Sequence, residues 1–149
     1  MNYELLMVDY TSEFYPGVIN LRNEILRKPL GLNIDENDLK EDKNQYLAIA
    51  VEHQEVLGCL LIKILQNNMV KFRQMAVKSN VQKNGIGSAL LYFAENFCLM
   101  NGYVCVELNA RLEAIPFYKK NNYCENSNEF IEIGIIHKKM TKNLEPVIL

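Results

Sequence analysis

From Met69 to Leu108 the chain reads MVKFRQMAVKSNVQKNGIGSALLYFAENFCLMNGYVCVEL, and this stretch decides the fold. Met69 to Val77 is an apolar segment suited to a strand, and Val81 to Ser88 is a glycine-bearing loop. Ala89, Leu90, Phe93, Ala94 and Phe97 then recur at helical spacing, with Tyr92, Glu95 and Asn96 off the stripe, so the segment is a helix with one buried face. Asn101-Gly102 ends it, Gly102 being free to take the left-handed conformation that closes helices. Tyr103 to Leu108 follows as a short strand, apolar on both faces, which suits a central parallel position. Strand, loop, helix and strand make one βαβ unit, expected to cross over right-handedly.

Upstream, Tyr46 to Glu52 and Val56 to Leu65 precede the Met69 segment, separated only by His53-Gln54-Glu55 and Gln66-Asn67-Asn68. Breaks this short and polar make an antiparallel meander, because parallel neighbours need a long crossover. Tyr3 to Asp9 reads as a first strand. Thr11 and Ser12 offer an N-cap, Pro16 suits a first helical turn, and Val18, Leu21 and Ile25 keep helical spacing until Pro29 stops it. Asn33 to Asn44 is polar and acidic and reads as a solvated connector, with Asp35 available to cap a short helix. Downstream, Asn109 to Lys120 reads as a second crossover helix that Pro116 must kink or begin. Tyr123 to Glu125 forms a short strand and Phe130 to Met140 one final strand. The expected fold is α+β: a mixed sheet of six to seven strands with an antiparallel N-terminal meander, a central parallel βαβ crossover, and three to four helices.

The chain has 149 residues, 49% of them hydrophobic, with a formal net charge of −2. About 150 residues suffice for one core, so residues 1–149 are expected to form one domain, and the composition excludes disorder. A near-neutral balance argues against a broad basic face, so neither nucleic acid nor membrane is an expected partner. Met1-Asn2-Tyr3-Glu4 lacks the pattern of a secretory signal, which points to the cytoplasm. Cys59, Cys98, Cys105 and Cys124 form no CxxC pair and read as reduced thiols packed as small hydrophobes. His53 and His137 stand alone, so no metal site is expected.

The loop Gln82-Lys83-Asn84-Gly85-Ile86-Gly87 enters a helix, where backbone N–H groups and the positive helix end converge on an anion. A phosphate loop needs Gly-Lys-Ser/Thr, whereas Gly87 is followed by Ser88 and Ala89. A dinucleotide fingerprint needs a small residue where Leu90 stands, although Glu107 lies at a suitable distance for a ribose. The third pattern is Gln82-x-x-Gly85-x-Gly87.

That pattern resembles the pyrophosphate loop, Arg/Gln-x-x-Gly-x-Gly/Ala, of the acetyl-CoA-dependent N-acetyltransferases of the GNAT superfamily. Arg73-Gln74-Met75-Ala76-Val77 is similar to the family's fourth strand. Ala114 to Tyr118 with Lys120 and Tyr123 resembles its A-x-x-F-Y-x-K-x-G-F segment. The Leu21 to Gly31 stretch and Phe130-x-Glu132-x-Gly134-Ile135-x-His137 look like the small bacterial acyltransferases similar to ElaA.

The resemblance implies that the main chain of Met75, Ala76 and Val77 holds pantetheine. It implies that the N–H groups of Gln82, Lys83, Asn84, Gly85, Ile86, Gly87 and Ser88 bind pyrophosphate without a metal. Asn109 would contact the pantetheine side, and Lys83 and Lys120 would meet the ribose phosphate or be ordinary solvated lysines. Tyr118 would be the general acid, with a core aromatic beside Phe117 as the other reading. Many relatives place a carboxylate base on the fourth strand, but Met69 to Val77 contains none, leaving Glu132, His137 or a water chain. Arg22, Glu24 and Arg27 would line the acceptor side. The implied reaction moves an acetyl group from acetyl-CoA to a primary amine of a small molecule or protein. A non-catalytic acyl-CoA-binding module is the alternative. The apolar tail Val147-Ile148-Leu149 reads as a homodimer contact or a loose end.

Overall fold

A computed structural model describes residues 2–145, so the Val147-Ile148-Leu149 tail lies outside the described residues. In chain order the elements are β1 (Glu4–Val8), α1 (Tyr15–Arg22), α2 (Glu36–Leu39), β2 (Tyr46–Glu52), β3 (Glu55–Ile64), β4 (Met69–Val77), α3 (Ile86–Met100), β5 (Cys105–Arg111), α4 (Ile115–Lys120), β6 (Cys124–Glu125), β7 (Phe130–Glu132) and β8 (Ile135–Asn143). All eight strands join one sheet in the order β1-β2-β3-β4-β5-β8-β6, with β7 also paired to β8. The expected α+β class, N-terminal meander and βαβ unit are present. The strand count exceeds six to seven because the terminal segment divides in two.

The meander turns are His53-Gln54 and Asn67-Asn68, and all four residues have positive φ. Two consecutive positive φ angles make the hairpin turn whose twist matches that of the flanking strands. Among the described residues β4 and β5 are the one parallel pair, joined in register from Met69↔Cys105 to Phe72↔Leu108. α3 covers one sheet face, where Leu90, Leu91, Ala94 and Cys98 meet Leu60, Val70, Phe72 and Leu108. α1 covers the other, with Val18 and Leu21 on Leu47, Ile49 and Leu61. Each such buried leucine contributes about 1.5–3 kcal/mol. Gly58 lets α3 settle: a Cβ there would stand 2.8 Å from Leu90 Cδ1.

One expectation is refined and two are corrected. Asn33 to Asn44 is mostly exposed, as expected of a solvated connector, but it is anchored at one point: Asp42 is 0% exposed and pairs at 2.7 Å with Arg22, also 0% exposed. Tyr15 Oη donates to the same Asp42 carboxylate at 2.6 Å, so the segment is pinned against α1. Asp35 does cap a short helix there: Asp35 and Asp38 accept each other's backbone N–H. Second, Asn109 to Arg111 continue β5 instead of opening a helix, because Lys139, Lys138 and His137 of β8 pair with them. Helix α4 starts at Ile115, with Pro116 in its first turn, where its missing N–H costs no bond. Third, Phe130 to Met140 is a hairpin of β7 and β8, turned at Ile133-Gly134 with both φ positive.

Candidate active site

The parallel pairing of β4 and β5 stops at Phe72 and Leu108, and beyond that point the strands separate. A bulge marks the place. On β3, Leu61 pairs with Arg73 and Cys59 with Ala76, so Gln74 and Met75 together oppose Leu60 alone. Gln74 takes φ +55, a left-handed conformation that costs a non-glycine residue about 1–3 kcal/mol and is sustained by the packing around it. β5 meanwhile stays on β8. Met75 to Val77 therefore keep β3 on one side and present an unpaired strand edge on the other, with Ala76 and Val77 held by Cys59 and Gly58.

A cleft of about 230 Å³ opens between the two strands, lined by Met75, Asn109, Arg111, Tyr118, Glu132 and His137 among others. Tyr118 reaches it from α4 and is packed edge-on against Phe117 (5.1 Å between centroids) and Tyr123 (5.7 Å). Its hydroxyl lies 3.6 Å from Met75 Sδ. Loss of water contact pushes the phenol up to about 12, against a smaller opposing pull from the Arg111 cation. The group is therefore a protonated donor at neutral pH.

Asn109 Nδ2 donates to Glu132 Oε2 at 3.2 Å, while Asn109 Oδ1 is buried with no hydrogen-bond partner among the described residues. An orphaned buried acceptor beside an unpaired strand edge fits an extended ligand carrying amide N–H groups. His137 is 4% exposed, and its ring stacks on Phe130. Its Nδ1 lies 2.9 Å from the Ile135 carbonyl, which only accepts, so Nδ1 carries the proton. Nε2 lies 4.0 Å from Glu132 Oε2. Glu132 and His137 face each other from β7 and β8, not along one strand as the sequence suggested.

The glycine loop sits at the N-terminus of α3. Gln82 and Asn84 bend their N–H groups to Ser79 and Val81 carbonyls at 3.4 Å, and Ala89 is the first to close the helical ladder, on Gly85. Among the described residues no carbonyl takes the N–H of Lys83, Gly85, Ile86, Gly87 or Ser88, which suits an anion. Gln82 spends its side chain on the Val77 carbonyl at 2.9 Å. The two glycines serve different ends. Gly85 has φ +82 with open space around it, whereas a Cβ on Gly87 would stand 3.1 Å from Phe117 Cζ and 3.5 Å from Met75 Cε. Gly87 thus brings the loop against the cleft wall.

Met75, Asn109 and Tyr118 meet in the cleft, and the loop from Gln82 to Ser88 adjoins it where Gly87 approaches Met75. Lys83 and Lys120 are exposed and do not line it. Arg22 is committed to Asp42 and lies away from it. Arg27 does line the cleft, its guanidinium bound to Asp38 at 2.9 Å, while Glu24 faces a second cavity beside Lys78. Two participants escape a sequence reading. Gln74 carries the bulge, and Arg111 stands at the end of β5 as an unremarked single arginine.

Residues 32–144 match the family model of the acetyltransferase (GNAT) domain. The chain belongs to the GNAT acetyltransferases. Among relatives, this GNAT chain is 28% identical to YyaT of Bacillus subtilis over 110 residues, covering 74% of this chain and 73% of YyaT. The Escherichia coli ElaA structure superposes with a TM-score of 0.79 at 17% identity, over 95% of this chain and 99% of ElaA. A structure of an aminoglycoside 6'-N-acetyltransferase complexed with coenzyme A gives a TM-score of 0.77 at 14% identity, over 97% and 99% of the two chains. At such identities the likeness to ElaA and to the aminoglycoside enzyme is one of fold. As a GNAT family member the protein is an acyl-CoA-dependent N-acetyltransferase. No helix among the described residues is long and apolar enough to cross a membrane.

Proposed function

We propose that this protein is a cytoplasmic, single-domain enzyme that transfers the acetyl group of acetyl-CoA directly to a primary amine held in the cleft beside Tyr118. The observation that carries the reading is the unpaired β4 edge at Met75–Val77, facing Tyr118 and continuous with the open N-terminus of α3. Bound acetyl-CoA supplies an activated thioester. The edge from Met75 to Val77 and the orphaned Asn109 Oδ1 hold its pantetheine arm. The N–H groups from Gly85 to Ser88 hold its pyrophosphate, with Lys83 and Lys120 at the outer end.

Tyr118 donates its phenolic hydrogen to the departing sulfur. With the phenol near 12 and an ordinary thiol near 8.5, full proton transfer is uphill, so Tyr118 acts first as a hydrogen-bond donor that stabilises the developing thiolate. The neighbouring Arg111 cation assists by drawing the phenol downward. On the other side, the amine loses its proton through water to Glu132 or to His137 Nε2. β4 carries no carboxylate that could do so directly.

Calorimetric titration with CoA, paired with thiol-release assays over an amine panel, tests the reading. Binding with amine-dependent release supports it. CoA binding without turnover would favour a non-catalytic acyl-CoA-binding module, and no CoA binding would remove both.

A further inference from the structure

The charge on the cleft walls bears on which amine enters. Arg27, Lys71, Arg73 and Arg111 line it, and among the described residues that do so Glu132 is the one carboxylate. This local excess of cations lies in a protein whose net charge is −2. Two of the four are compensated. Arg27 holds Asp38 at 2.9 Å, and Arg73 donates to Gln45 Oε1 at 2.8 Å with Glu41 at 3.9 Å. The other two are not: among the described residues no carboxylate lies within 4.0 Å of Arg111 or Lys71.

Arg111 is the closer of the two to the chemistry. It is half-buried, paired in register opposite His137, and its charge acts on Tyr118. Among the described residues one of its five N–H donors is engaged, Nη2 to the Leu26 carbonyl at 3.0 Å. That carbonyl belongs to the π-helical turn Asn23–Arg27 that prolongs α1, so the single bond also fixes the guanidinium toward the cleft. Glu113 and Glu132 act on it only at longer range. A half-buried guanidinium with four free donors and no close counterion is a site for an incoming oxyanion, which its planar fork takes in two parallel bonds.

We propose that the acceptor is a small amine that also carries an oxyanion, a carboxylate or a phosphate, and that Arg111 anchors that group. The inference rests on the acetyltransferase reading above and narrows its substrate class. A polycationic amine meets repulsion from Arg111 and Lys71. An amine with an oxyanion instead places its negative group on Arg111 and its ammonium toward Glu132.

The test uses the full chain saturated with CoA. N-acetyl-L-alanine, N-acetyl-L-alaninamide, N-ethylacetamide and N-acetyl-2-aminoethyl phosphate are titrated by calorimetry, together with the acid and amide of N-acetyl-L-phenylalanine. The acid should bind at least about tenfold tighter than its amide in one series. Arg111→Gln should collapse that ratio to near one, and Arg111→Lys should restore part of it. Thiol release from acetyl-CoA should rank the unacetylated amines in the same order. A phosphate that binds tighter than either acid supports the anchor and assigns the oxyanion as phosphate. Amides that bind as tightly as the acids and the phosphate would overturn the proposal. So would an unchanged ratio in Arg111→Gln protein whose circular dichroism and melting match the parent. If CoA itself fails to bind, the acetyltransferase reading falls and this inference with it; CoA binding without oxyanion preference removes this inference alone.

Discussion

The Tyr118 hydroxyl and the Met75 sulfur, 3.6 Å apart, join α4 to the bulged part of β4 across the cleft. A phenol already directed at a sulfur is placed to donate to a leaving thiolate. Tyr118→Phe keeps the ring contacts with Phe117 and Tyr123 and deletes that donor. Turnover should fall by about 10²-fold or more, the scale of a lost hydrogen-bond donor to the developing charge. CoA affinity by calorimetry should stay close to the parent. Equal losses in both would assign Tyr118 to packing.

The two loop glycines should fail differently. Gly85→Ala imposes φ +82 on a residue with a Cβ but meets no neighbour, so it should weaken CoA binding with little further effect on the cleft. Gly87→Ala instead pushes on Phe117 and Met75, displacing α4 and Tyr118. Overpacking of this kind costs about 1–3 kcal/mol, and turnover should drop along with stability. Urea unfolding of both variants, set beside their CoA affinities and rates, separates the two effects.

Asp42 is held by Arg22 and Tyr15, all on the α1 side of the sheet. Asp42→Ala leaves a fully buried guanidinium without its carboxylate. The expected loss is about 3–5 kcal/mol of unfolding free energy, measured by urea denaturation. The double variant Arg22→Met/Asp42→Leu should recover much of it, since it removes both charges.

The thiols and phenols give a pH signature. Burial pushes Cys59 and Cys98 from 9.0 up to about 12 and Tyr118 from 10.0 up to about 12, and it raises Tyr15 and Tyr123 as well. Each of these groups keeps its proton longer in the folded chain than in the unfolded one. Between pH 9 and 12 the unfolded chain therefore binds fewer protons, and stability should fall as pH rises through that window. Urea midpoints measured from pH 7 upward check the sign. Iodoacetamide at pH 8 should label the exposed Cys124 first, with Cys59 and Cys98 reacting only on unfolding.

Much of the fold was legible because its signals are local. The meander showed in two short polar breaks, and the βαβ unit in a change of period between Val77 and Ala89. The misreadings have non-local causes. Asn109-Ala110-Arg111 stays extended because β8, which arrives about 30 residues later, pairs with it. Asn33 to Asn44 is polar in composition yet anchored at one point, because one of its carboxylates meets an arginine 20 positions earlier. The Ile133-Gly134 turn did leave a trace, a glycine inside a strand pattern. Tyr118, Met75 and Asn109 could be named from their resemblance to a family. Arg111 could not, since a lone arginine acquires meaning only where two strands part and leave its guanidinium without a carboxylate.

The rate of thiol release from acetyl-CoA, followed with and without added amines and with mass detection of the acetylated product, decides whether the cleft catalyses acetyl transfer. Saturable, amine-dependent release with one acetamide formed per thiol is the predicted result. A protein that binds CoA but releases no thiol above background with any amine would contradict it, and would mark the cleft as a binding site without chemistry.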